Sequence, residues 1–416
     1  MDSAKKSMHD IYTEIESKHL SERAEIMDAF ISDLGKKHHA QIARKSLSGS
    51  APEMSVEDQY DGSTRRMIYF GSNDYLNLTK HPRLKRAAIE AIEHYGTGAG
   101  SVPLLGGTFD IQTALEDELA AFKGCEAAMV FTSGFVSNYG ALSTLLGPAD
   151  CAIADKLIHA SLVDGCRNTN VEKFRHNDME SLEENLKACR DKYKTKIVIV
   201  DGVYSMDGDI AHLNVIVDLA HRYDAMVMVD EAHATGVIGK EGRGTPEHFG
   251  IEGSVDIVAG TLSKAMGAVG GFIASSKRII QYLRYSSRPY IFSTAMVPSA
   301  TAASREALKV IVEEPELRIK LWENINYLRS RLENLGFNLH GSQSAIFPII
   351  IGDDFIVKEM CRKLHENNIY VNQVSFPAVS VRMSRLRISL TAGHTCEHLN
   401  ILVNNLEVLG KEYGII

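Results

Sequence analysis

The sequence predicts an α/β fold: a large domain built on a mostly parallel sheet, followed by a smaller α+β domain at the C-terminal end. Short apolar runs recur along the chain: AMVF (128–131), CAIAD (151–155), KIVIVDG (196–202), AMVMVDEAH (225–233) and VDIVAGT (255–261). Each is too short for a buried helix and suits a buried strand. The stretches between them, such as MESLEENLKACRDKY and LNVIVDLAHRYD, have helical periodicity. Strands alternating with helices predict a parallel sheet covered on both faces, because each parallel connection needs a crossover that a helix supplies.

Residues 1–66 are polar and charged. Their helical pattern is broken by SLSGSAPEMSVEDQYDGS, where Ser, Gly and Pro cluster as in a linker, so this part is expected to be an N-terminal arm and linker. The large domain is expected over 67–299. A helix-rich segment that includes LKVIVEEPELRIKLWENINYLRSRLENLGF opens the small domain, 300–416. SAIFPIIIGDD, IYVNQV and RLRISLTAGHT supply three more strand candidates there.

Composition narrows the function classes. With 416 residues, 44% of them hydrophobic, the chain can bury a large core. A net charge of −8 argues against an extended basic face for nucleic acid. The six cysteines form no CxxC pair and no Cys/His zinc spacing, so no metal is expected, and scattered reduced thiols fit a cytoplasmic compartment. MDSAKKSMHDIYTEIESKHL has no apolar leader core, and no run of about 18 apolar residues occurs, so neither export by a leader nor a membrane span is expected.

In parallel sheets, chemistry collects at the carboxyl ends of the strands. Asp201 follows IVIV, Asp230 follows MVMV, and Thr261 ends the next run, with Lys264 close behind among small residues in GTLSKAMGAVGG. An aspartate buried at a strand end needs a partner. It either caps the following turn or pairs with a buried cation such as a protonated heterocyclic nitrogen. A desolvated lysine has a depressed pKa and becomes a nucleophilic amine, although a solvated surface lysine is the commoner case. MVFTSGFVSNYGALSTLL reads as strand, Ser-Gly turn and helix, a junction whose backbone N–H groups suit a phosphate. His159 is a core or capping residue, or a flat partner for a ring. Jointly, an amine, an acid, a flat side chain and a phosphate cradle suggest pyridoxal phosphate.

The segments IYFGSNDYLNL, HYGTGAGS, GTFDIQTALEDELAAFKG, DKLIHASLVDG, DGVYSMDGDIAHL, MVDEAHATGVIG, GTLSKAMGAVGGFIA, RPYIFSTAMVPS and RLRISLTAGHT cover roughly residues 67–410. In these, the chain resembles the α-oxoamine synthase family of fold-type-I pyridoxal-phosphate enzymes. The resemblance implies Lys264 as the lysine that bonds the cofactor and Asp230 as the partner of its ring nitrogen. It implies His159 stacked on the ring and His233 as donor to the phenolic oxygen. Ser133, Gly134, Phe135 and Thr261 would surround the phosphate, and Asp201 and Ser205 would lie near the ring. Thr294 would reach the phosphate of a neighbouring subunit, which implies a homodimer with shared active sites. Arg387 would hold the amino-acid carboxylate, a job that suits the guanidinium fork, and Asn73 would lie in the same substrate pocket.

The family joins a small amino acid to an acyl-CoA with loss of carbon dioxide, giving an α-amino ketone. EEPELRIKLWENINYLRSRLENLGFNL, SQSAIFPIII, IYVNQVSFPAV and GDIAHL favour serine, as in the family's serine palmitoyltransferases. The glycine-using ligase and 8-amino-7-oxononanoate synthase are the alternatives. Pro103 stands where many relatives carry arginine and Gln112 where histidine is usual, which suits an apolar acyl chain, and contact with a membrane surface is compatible. An aminotransferase of the same fold, or a non-catalytic subunit, is a more distant alternative; joint retention of Lys264, Asp230 and His159 disfavours the second.

Overall fold

The computed structural model describes residues 6–416. They fall into two compact units: one gathers the described residues through Ser72, Met206–Gly208 and Lys320–Ile416, the other Asn73–Ser205 and Asp209–Ile319. The strands, in chain order, are β1 (Glu53–Glu57), β2 (Thr64–Tyr69), β3 (Ala127–Phe131), β4 (Cys151–Asp155), β5 (Asn170–Phe174), β6 (Lys196–Asp201), β7 (Met226–Asp230), β8 (Ile257–Thr261), β9 (Gly271–Ser275), β10 (Ile346–Ile350), β11 (Ile369–Tyr370), β12 (Asn372–Val374) and β13 (Arg385–Ser389). Among the described residues, no helix is long and apolar enough to cross a membrane.

The larger unit is built on a seven-stranded sheet in the order β3-β9-β8-β7-β6-β4-β5. The run from β5 to β8 is parallel, whereas β9 is antiparallel to both β8 and β3. Helices such as Met179–Cys189 and Leu213–Arg222 make the parallel crossovers. The stretch 262–270 between β8 and β9 is too short for one, so the chain turns back on itself. Every residue of β4, β6 and β8 is buried, as expected for strands covered on both faces. On one face Ile197, Ile199, Met228 and Ile257 pack with helix residues Leu142, Leu162 and Leu283 into a single apolar cluster. Strand β5 has no apolar run, because at the sheet edge NVEKF alternates half-exposed and exposed positions and buries only Phe174.

The smaller unit holds two three-stranded sheets, β1-β2-β11 and β10-β13-β12. Here the linker expectation fails. The Ser/Gly/Pro-rich stretch contains β1, which pairs antiparallel with β2 and sets Met54 opposite Met67. Met54 and Val56 point inward while Glu53, Ser55 and Glu57 stay at the half-exposed face. That period-two pattern occupies five residues and is hidden by the turn formers around it. The helical stretch near 300 divides into Pro298–Glu313 and Pro315–Leu335, since Pro315 has no N–H to continue the first helix and suits the start of the second.

A half-buried charge cluster ties the loop after β5 to the end of β4. His176 Nδ1 lies 3.1 Å from Asp155 Oδ1 and Nε2 lies 2.8 Å from Asp209 Oδ2. Asn177 adds its backbone N–H to Asp155 and its amide to Asp209. Burial works against the imidazolium, but hydrogen bonds to Asp155 and Asp209 outweigh it and push His176 up to about 10. A raised histidine contributes stability that is fully present below its unfolded value near 6.5 and is lost as pH rises through about 10. In urea denaturation followed from pH 6 to 10, the stability gap between wild type and His176→Gln is therefore expected to be widest at pH 6 and to shrink steadily with rising pH.

Candidate active site

The carboxyl ends of β6, β7 and β8 open into a cleft of about 230 Å³ in the larger unit. Its walls include nine of the residues singled out from sequence: Ser133, Gly134, Phe135, His159, Asp201, Asp230, His233, Thr261 and Lys264.

One wall is the start of the helix Gly134–Leu145. Ser133 caps it, its Oγ accepting from Val136 N–H at 3.2 Å. A Cβ on Gly134 would stand 2.9 Å from the Thr261 side chain, so glycine is required by the close approach of helix and β8. Thr261 is itself held, its hydroxyl donating to Gly270 O at 2.9 Å and accepting from Ser263 N–H at 3.2 Å. First-turn N–H groups and the helix dipole suit this corner to an anion.

Two carboxyl groups form the floor. Asp201 and Asp230 are register partners at the ends of β6 and β7. Asp230 Oδ1 accepts from Ala232 N–H at 2.9 Å and Oδ2 from the Asn138 amide at 2.6 Å. Asp201 Oδ1 accepts from His159 N–H at 3.2 Å. Burial first, and then the charge of Asp230, raise Asp201 well above the usual carboxylate range. His159 caps the short helix Ala160–Gly165, and burial lowers its pKa.

The opposite side carries a directed set of hydrogen bonds. Lys264 Nζ lies 2.7 Å from His233 Nε2, His233 Nδ1 lies 2.6 Å from Tyr75 Oη, and Tyr75 Oη donates to Asn73 Oδ1 at 3.3 Å. With lysine as donor, Nε2 accepts and Nδ1–H donates to the tyrosine. Asn73 is thus joined to the cleft through Tyr75, a residue absent from the sequence reading although it lies two positions away in GSNDYL.

Three other candidates are elsewhere. Ser205 follows β6 but does not line the cleft, and Thr294 lies with Pro103 and Gln112 around a separate small cavity. Arg387 belongs to the smaller unit, buried on β13, where its Nη1 donates to Ser389 Oγ at 3.0 Å. Conversely, Asn138, Ser161 and Ser263 line the cleft without having been expected. Asn138 had a signal: it is one turn beyond Gly134, on the same helix face, and polar within an otherwise mostly apolar helix.

This donor set fits pyridoxal phosphate: a primary amine, a buried acid, a flat histidine and a helix start for the phosphate. Asn138 Oδ1, buried and without a hydrogen-bond partner, adds unspent polar capacity in the cleft wall. Fold and cleft together define a fold-type-I enzyme dependent on pyridoxal phosphate, and residues 65–406 match the family model for aminotransferase class I and II. Within that class the chain belongs to the α-oxoamine synthases, and it is an acyltransferase. It is 46% identical over 354 residues to 8-amino-7-oxononanoate synthase of Alkaliphilus oremlandii, covering 85% of this chain and 90% of the relative. It is 42% identical to 8-amino-7-oxononanoate synthase 1 of Bacillus subtilis, covering 95% and 100%. Its structure matches that of serine palmitoyltransferase from S. paucimobilis with bound cofactor and myriocin, with TM-score 0.90 and 32% identity, covering 96% and 100%. The family expectation is met; for the particular member, the relatives of higher identity favour the alternative over the serine enzyme.

Behind the cleft, the residue after Asp230 is fully buried. Glu231 lies 3.6 Å from Lys123 Nζ and accepts from the Thr245 N–H at 2.9 Å and from its hydroxyl. Burial pushes Glu231 up and Lys123 down, and the opposite charge of each partner resists this. Glu231→Ala leaves the buried Lys123 without its carboxylate counter-charge and the Thr245 N–H without its acceptor, and is expected to cost about 3 kcal/mol, read as a lower midpoint in urea denaturation.

Proposed function

We propose that the chain makes 8-amino-7-oxononanoate or a close homologue by joining alanine to a seven-carbon acyl thioester that ends in a carboxylate. The observation that carries this reading is the identity of 42–46% to relatives of that name over most of the chain. The product's skeleton identifies the two halves. The ketone carbon C7 is the acyl carbonyl, so C1–C7 come from the heptanedioyl thioester. C8 with its amine and C9 are the Cα and methyl of alanine. One C–C bond forms between the acyl carbonyl and Cα, the thiol leaves, and the alanine carboxyl departs as carbon dioxide.

Pyridoxal phosphate, when bound, supplies an aldehyde for the amino group and an electron-poor ring that accepts the electron pair freed at Cα. The residues of this chain do the rest. Ser133, Gly134, Phe135 and Thr261 hold the phosphate at the helix start. Asp230 would keep a proton on the ring nitrogen, His159 would stack on the ring, and His233, with Nε2 protonated once the Lys264 amine has moved to the cofactor, would donate to the phenolic oxygen. Asp201 and Ser205 take places near the ring. Lys264 would provide the amine for the aldehyde and the base for the Cα proton. Arg387 would bind the amino-acid carboxylate, Asn73 would belong to the substrate pocket, and Thr294 would serve the site of a second copy, so the working form would be a homodimer.

Serine with a long acyl-CoA is the second reading, supported by the likeness to serine palmitoyltransferase. A matrix of alanine, glycine and serine against acyl thioesters of graded length, with and without a terminal carboxylate, tests both by thiol release and product mass. Alanine with the heptanedioyl thioester is expected to turn over fastest; faster turnover of serine with a long apolar chain would replace the first reading by the second. Amino transfer to a keto acid without thioester would overturn both. Lys264→Ala is expected to bind cofactor without trapping by borohydride and to lose turnover by at least about 10³-fold, the scale set by loss of a general base and covalent catalyst. Trapping on another lysine would reassign the role.

A further inference from the structure

Asn138 is 3% exposed, and its amide nitrogen serves two partners. Nδ2 donates to Asp230 Oδ2 at 2.6 Å and to Ser161 Oγ at 2.9 Å. Ser161 Oγ in turn lies 2.7 Å from His159 Nδ1, and the Ser161 backbone N–H is directed at the same nitrogen from 3.3 Å. The amide orientation is forced: turned over, its oxygen would meet a carboxylate oxygen, acceptor against acceptor. With the nitrogen so placed, Ser161 Oγ accepts from Asn138 and keeps its own proton to give. The Ser161 backbone N–H can only donate, so His159 Nδ1 is an unprotonated acceptor, and its lone pair is shared between that N–H and the serine hydroxyl. One amide hydrogen therefore points to Asp230, and the other begins a one-way series through serine to histidine.

We infer that Asn138 and Ser161 are positioning residues that set Asp230 and His159 as one unit, fixing the carboxylate through one amide hydrogen and the Nε2–H tautomer of His159 through the other. This rests on the roles proposed above for Asp230 and His159 and is independent of the substrates. A neutral imidazole on the ring face has a physical purpose. An imidazolium there would repel the proton that Asp230 holds on the ring nitrogen, and so weaken the ring as an electron acceptor. The lowering of His159 by burial works in the same direction.

The test uses full-length protein with ¹⁵N-labelled histidine, read by NMR without cofactor and then titrated with pyridoxal phosphate, alongside thermal midpoints. Wild type is expected to show His159 with Nδ1 unprotonated and Nε2 protonated between pH 6 and 8. Ser161→Ala is expected to shift His159 towards a tautomer mixture, and Ser161→Thr, which keeps the hydroxyl, to restore the wild-type signals. Asn138→Ala is expected to weaken cofactor binding by about tenfold or more, the scale of a lost hydrogen bond to a charged group. An Nδ1–H tautomer in wild type would overturn the inference, as would Ser161→Ala with wild-type His159 signals; the serine variants decide the matter even if Asn138→Ala does not fold. Asp230→Ala, titrated in parallel, separates the two readings. Unchanged cofactor affinity in Asp230→Ala overturns the role given to Asp230, whereas affinity lost there but retained in a folded Asn138→Ala overturns only the positioning unit.

Discussion

A carboxylate at the mouth of a fully covered parallel strand is the constraint around which the larger unit is arranged. Asp230 sits at the end of β7 beside a second aspartate at the end of β6, and water solvates neither fully. Burying a charge without partners costs several kcal/mol, so the surroundings must answer it. They do so with the Ala232 backbone N–H and the Asn138 amide, while Asp201 yields by moving towards its neutral form. What the arrangement leaves over is a hydrogen-bonded carboxyl group in the wall of the cleft.

The same economy explains the glycines and the turn around Lys264. The helix that brings Asn138 to Asp230 must begin against Thr261, and only glycine at 134 allows that approach. Gly267, at φ +62°, lets the chain reverse between β8 and β9 and return as an antiparallel strand. Lys264 lies on this reversal rather than on a crossover helix, which holds its amine over the strand ends and against His233. The small residues that make the lysine look misplaced in the sequence are the ones the reversal needs.

Much of the site was legible because strand ends carry chemistry in this kind of sheet. Asp201, Asp230 and Thr261 end apolar runs, and the helix start after β3 follows a strand-Ser-Gly junction, so position along the chain predicts place in the cleft. Asn138, Ser161 and Tyr75 were not legible in this way. They sit inside a helix, in a short capped turn and in a loop, where polarity alone has many ordinary explanations. Likewise β1 was hidden, since five alternating residues between turn formers resemble a linker until β2 pairs with them.

Periodicity by itself determined the α/β class, the covered parallel strands and the carboxyl-end location of the acid and the amine, because burial patterns and strand termini are local properties of the chain. Tertiary structure alone decided which partners those groups have. The union of Asp230, Asn138, Ser161 and His159 draws on segments far apart in sequence, and so does that of Lys264, His233 and Tyr75. A hydrogen bond is specified by distance and direction in space, and no spacing along the chain encodes either.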